Sequence, residues 1–78
     1  MARFTVLLYQ EEGGYSAIVP GLHVATEGRT IDEALAMAKE AAELRIDALV
    51  QDGEPVLEEE EAPIVAAIHV DVPAPAPV

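Results

Sequence analysis

The side chains best suited to chemistry are few in this sequence and lie far apart. His23 and His69 are the two histidines, so a metal site would have to combine them with a glutamate. Nucleases that use two metal ions gather carboxylates on strands, but Asp71 alone falls within a predicted strand. No serine or threonine stands in a pattern that suggests a nucleophile with its base. We therefore expect no catalytic residue, no metal, no cofactor and no enzymatic activity.

Composition limits the chain to one small domain with a thin core. It has 78 residues and no cysteine, and alanine supplies 14 of them while aromatic residues make up only 4%. A domain of this size without disulfides is marginally stable alone, so we expect a homo-oligomer, either a dimer or a tetramer. No apolar run is long enough to cross a membrane, so we expect a cytoplasmic protein that does not bind membranes.

The charge is strongly negative and uneven. The net charge is -11, and residues 54–78 contain six acidic residues and no basic one. Such a chain repels phosphate backbones, so we expect no direct binding of nucleic acid. It would attract a basic protein, although an acidic surface also serves simply to keep a small protein soluble.

Two strands in the first 20 residues predict a β-hairpin. Residues 3–10 and 15–19 are rich in β-branched and aromatic residues, and Gly13 and Gly14 between them favour a tight turn. A two-residue Gly-Gly turn would place Leu8 opposite Val19, whereas a four-residue loop would place it opposite Ala17. In either register one face carries Phe4, Val6, Leu8, Tyr15, Ala17 and Val19. The other face carries Leu7, Tyr9 and Ile18, which is too apolar for a solvated sheet and predicts an oligomer interface there.

A long helix follows a predicted third strand at residues 22–26. Thr30 and Glu33 form a capping-box pattern that predicts a helix start. Gly53 and Pro55 predict its end near Asp52. The apolar stripe predicted for this helix comprises Ile31, Leu35, Ala38, Ala42, Ile46 and Leu49.

The last apolar run predicts a fourth strand. Residues 64–72 alternate, with Ile64, Ile68 and Val72 on the more apolar side, after a run of glutamates at 58–61 that we expect to be solvated. The predicted order is β-β-β-α-β, an α+β fold with a mainly antiparallel sheet of three to four strands and one long helix on one face. We expect a single domain over residues 1–72 and a flexible tail rich in proline and alanine over residues 73–78.

Five short motifs occur in an order that resembles a known family. They are Gly13-Gly14-Tyr15, Val19-Pro20-Gly21-Leu22, a Thr26-to-Thr30 segment, a helix opening at Ile31-Asp32-Glu33-Ala34-Leu35, and Asp52-Gly53-Glu54-Pro55. Across residues 3–55 the chain resembles the HicB-type antitoxins of type II toxin-antitoxin systems. His23-Val24 stands where that family commonly has Gly-Cys, so the loop into the third strand differs.

The resemblance implies a partial ribonuclease-H-like fold without its catalytic carboxylates. It also implies a non-catalytic module that binds a small basic HicA-type messenger-RNA interferase and occludes it. From charge and position we expect the partner to contact an acidic rim of Glu11, Glu12 and Glu27, with Tyr15 nearby. One alternative is an orphan module without a toxin, which binds another protein or a small ligand. The other is a divergent ribonuclease-H-like hydrolase, which would require clustered carboxylates on adjacent strands.

Overall fold

Three antiparallel strands and one long helix make up the fold. The structure is a computed structural model that describes residues 2–59 and 61–75. Strand β1 spans Leu7–Glu11, β2 spans Gly14–Val19 and β3 spans Val24–Gly28, and they lie in the order β1-β2-β3. Helix α1 spans Ile31–Gln51. The predicted α+β class and the β-β-β-α order are confirmed, although β1 starts later and β3 lies about two residues further along than the sequence indicated.

The hairpin between β1 and β2 has a two-residue connection, Glu12-Gly13. Leu8 pairs with Ala17, which confirms one of the two predicted registers, and Glu11 pairs with Gly14 to close the hairpin. Gly13 has a positive φ of 83°, as the turn requires. Gly14 has no positive φ and pairs with Glu11, so the turn predicted at Gly13 and Gly14 lies one residue earlier. A Cβ at Gly14 would instead lie 2.3 Å from the carbonyl oxygen of Gly28, so this position needs glycine for close approach of β3.

A short turn connects β2 to β3. Pro20–Leu22 form a single turn of 3-10 helix, and the side chain of its last residue, Leu22, is buried. His23 follows with a left-handed φ of 55° and donates its backbone N–H to the carbonyl of Pro20 at 3.3 Å. His23 therefore lies in this turn and not in the strand predicted for it. The turn redirects the chain so that β3 can return along β2.

Side chains and backbone groups cap helix α1 at both ends. The Thr30 hydroxyl accepts from the backbone N–H of Glu33 at 3.0 Å, which confirms the predicted N-cap. The reciprocal bond goes to Arg29, whose N–H donates to the Glu33 carboxylate at 3.4 Å, one residue before the position expected. At the other end the N–H of Glu54 donates to the carbonyl of Leu49, and Gly53 adopts a left-handed φ of 71°. These are the features of a Schellman motif, and they end the helix where the sequence predicted.

The core lies between α1 and one face of the sheet, which we call the inner face. Its buried residues are Ala17, Val19, Leu22, Ala34 and Ala38. A Cβ at Gly28 would lie 2.4 Å from the backbone nitrogen of Ala34, so α1 begins almost in contact with β3. The predicted stripe is wrong at its start, because Ile31 is 45% exposed and Leu35 is 37% exposed. The buried residue at the start of α1 is Ala34, because only a small side chain fits this close to the sheet.

Residues 64–72 form no strand. They are exposed, with no regular secondary structure and no pairing to the sheet. The predicted fourth strand is therefore absent from the single chain, because a strand needs a neighbouring strand for its backbone groups and this segment has none. Part of the predicted tail, residues 76–78, lies outside the described residues.

Candidate functional site

Among the described residues, no helix or strand packs on the sheet face opposite α1, which we call the outer face. Alternation along the strands places Leu7, Ile18 and Ala25 in one row across it, because Ile18 pairs with both of the others. In the next row Ser16 lies between Tyr9 and Glu27. Tyr9 is 52% exposed, and Leu7 and Ile18 are half-buried. The three residues predicted for an oligomer interface thus share one surface.

A broad, open depression of about 600 Å³ lies over this face, with Tyr9, Ile18 and Ala25 among its lining residues. Glu11, Ser16 and Glu27 line the same depression, and the Ser16 hydroxyl donates a short hydrogen bond to the Glu11 carboxylate. That bond fixes the carboxylate at the margin of an apolar surface. An apolar centre beside charged side chains is the anatomy typical of protein-binding surfaces.

The predicted acidic rim comes together at the hairpin end of the sheet. Glu11, Glu12, Tyr15 and Glu27 surround a shallow cavity of about 90 Å³. The three glutamates are exposed, whereas Tyr15 is half-buried and packs against the core. Two sequence predictions, the acidic rim and the apolar face, therefore describe adjoining parts of one surface, with Glu11 and Glu27 belonging to both.

A contact that sequence reasoning missed lies at the opposite end of β1. The carboxylate of Glu59 accepts from the backbone N–H of Thr5 at 3.1 Å and from the Thr5 hydroxyl at 2.8 Å. These two bonds, helped by the charge of Arg3, hold the pKa of Glu59 below its ordinary value against a smaller effect of desolvation. Glu59 belongs to the run of glutamates expected to be solvated, and it is instead an anchor for the segment after α1.

The histidines do not form a metal site in this structure. His23 lies in the turn before β3 and His69 in the exposed segment after α1. Within residues 2–59 and 61–75, no three His, Asp or Glu side chains are grouped closely enough to hold a metal ion. In the same residues no helix has both the length and the apolar character needed to cross a membrane.

The fold and this surface define an α+β domain with one covered and one uncovered sheet face. Comparison with family models, with curated proteins and with solved structures finds no match for the chain. The resemblance to HicB-type antitoxins therefore depends on the motifs of residues 3–55 alone.

Proposed function

We propose that this chain is a non-catalytic protein-binding module of the HicB antitoxin type, which binds and occludes a small basic HicA-type messenger-RNA interferase. The observation that carries the proposal is the outer face, where Tyr9, Ile18 and Ala25 form an apolar floor and Glu11 and Glu27 border it. An interface of this kind offers burial at its centre and charge at its margin.

The electrostatics favour a basic partner. A toxin that cleaves RNA needs a basic surface to hold the phosphate backbone. An acidic module with a net charge of -11 accelerates encounter with such a surface and competes with the RNA for it. Occlusion then requires only that the complex dissociate slowly, with no chemical step.

The alternative is an orphan module that binds another protein or a small ligand. The open depression of about 600 Å³ over the outer face supports this alternative because its volume lies in the range of small-ligand sites. The two proposals differ in the partner that the chain retains and in whether any ribonuclease is inhibited.

The test is purification of the chain from its native host, followed by mass determination of what stays bound. We expect a stoichiometric small basic protein whose cleavage of RNA stops when the chain is added back. Recovery of the chain alone, or with a partner that has no ribonuclease activity, would contradict the antitoxin proposal. A retained small molecule would instead support the orphan module.

A further inference from the structure

Residues 64–72 carry a row of apolar side chains that the single chain leaves in water. Ile64 is 95% exposed, Ile68 84%, Val70 69% and Val72 83%. Together with Ala66 they alternate with Val65, Ala67, His69 and Asp71, so an extended backbone puts the apolar row on one side and both polar side chains on the other. This is the pattern of a strand with one covered face, in a segment that has no neighbour.

The sheet offers an unpaired edge that fits such a strand. In the order β1-β2-β3, strand β1 pairs only with β2 among the described residues. Helix α1 packs on β2 and β3, and an apolar groove of about 330 Å³ lies between the helix and the chain that leads into β1. Its lining includes Phe4, Val6, Leu35, Ala42 and Ile46. A strand added beside β1 and the residues that lead into it would place one row of side chains against this groove.

The exposed segment begins beside that edge. The Glu59 carboxylate is anchored to Thr5, and Thr5, Leu7, Ile64 and Val65 line one cavity of about 420 Å³. Beyond Val65 the chain leaves the body of the domain. The Cα radius of gyration is 16.5 Å, compared with about 11.5 Å for a compact chain of this length. The segment thus reaches its own β1 edge and continues past it unpaired.

We propose that residues 64–72 of one copy pair with β1 of a second copy, and that the exchange is reciprocal. Each copy has one free strand and a free β1 edge beside it, so a two-fold exchange pairs both and changes nothing at β3, the other edge of the sheet. The apolar row enters the partner's groove under α1, and His69 and Asp71 stay on the solvent side. Each copy contributes a strand and a groove, so the exchange buries the apolar row twice, which favours a stable dimer. This inference does not depend on the proposed function.

The test measures mass and amide protection on the full chain. Light scattering should give twice the chain mass of 8.3 kDa, and amide hydrogen exchange of residues 64–72 should be slow in concentrated solution and fast after dilution. Isotope-filtered NMR on a mixture of labelled and unlabelled chains should show contacts between residues 64–72 and β1 only between chains.

Two matched variants test the role of the apolar row. Ile68→Asp should halve the mass, whereas Ala67→Asp, on the other row, should leave the dimer intact. Circular dichroism checks that both variants keep helix α1. Slow amide exchange of residues 64–72 in a protein with the mass of one chain would show that they pair with the chain's own β1. That result would overturn the proposal. A dimer with fast exchange at residues 64–72 would also overturn it, because the interface would then lie elsewhere.

Discussion

Glu59 accepts two hydrogen bonds from Thr5, one from the backbone N–H and one from the hydroxyl, across 54 positions of sequence. The pair joins the segment after α1 to the chain that leads into β1. It also ties the ionisation of one carboxylate to the folded state, because the unfolded chain does not hold these donors in place. The lowered pKa of Glu59 expresses that preference for the charged form.

We predict that Glu59→Ala destabilises the fold in a pH-dependent way. A carboxylate with a lowered folded pKa contributes its full stabilisation above the ordinary pKa, and this is lost as the pH falls through the lowered value. Glu58→Ala removes the same charge one residue away and is the control. In chemical denaturation, Glu59→Ala should be the less stable variant at neutral pH, and the two should converge in acid. A gap that persists at low pH would contradict the assigned role.

We predict that Gly28→Ala is strongly destabilising, because its Cβ would meet the backbone of Ala34 and push α1 away from β3. Overpacking of this kind costs about 2 to 3 kcal/mol. Gly13→Ala is the control: it has open space around it but a positive φ, and should cost about 1 kcal/mol. Unfolding free energies of the two variants check the order, and equal losses would argue against a rigid contact between β3 and α1.

We predict that the double variant Leu7→Glu with Ile18→Glu lowers the oligomeric mass if the outer face is an interface, because two charges would be desolvated there. The control is Leu44→Glu with Val50→Glu, since both side chains are more than 60% exposed on α1. Light scattering on the two proteins makes the comparison. An unchanged mass in the first variant would remove the outer face as an oligomer interface.

We predict that Glu11→Lys with Glu27→Lys slows association with the proposed basic partner about tenfold at low salt, and less at high salt. The matched control, Glu40→Lys with Asp47→Lys, makes the same change of charge on exposed positions of α1. Stopped-flow association rates at two salt concentrations provide the measurement. Equal slowing by both variants would indicate that net charge alone steers the encounter, with no role for the acidic rim.

Local patterns predicted most of the fold. The Thr30 cap and the Gly53 terminus depend on residues within five positions of each other, and the sequence placed both correctly. Alternation assigned the faces of β1 and β2 in the same way. These features are readable because the interacting groups are neighbours along the chain.

Features that depend on distant parts of the chain were not predictable. The predicted apolar stripe of α1 included Ile31 and Leu35. The helix begins so close to Gly28 that Ala34 is buried there instead, and the residue pattern of the helix gives no sign of this contact. Glu59 looked like one of several solvated glutamates because its partner Thr5 lies near the other terminus. The strand pattern of residues 64–72 specifies side-chain alternation but not the neighbouring strand that must supply its hydrogen bonds. The members of the acidic rim lie together because the pairing of β3 with β2 brings Glu27 beside the hairpin that carries Glu11 and Glu12.

The alanine-rich core has a thermal consequence. Three of the five buried residues are alanine, so unfolding exposes little apolar surface. Apolar exposure raises the heat capacity of an unfolded chain by about 0.45 cal/K/mol for each Å². A small heat-capacity change flattens the dependence of stability on temperature, and a small unfolding enthalpy broadens the melting transition. A single copy of this domain would unfold gradually over a wide range of temperature. Burial of further apolar side chains between copies would narrow the thermal unfolding transition.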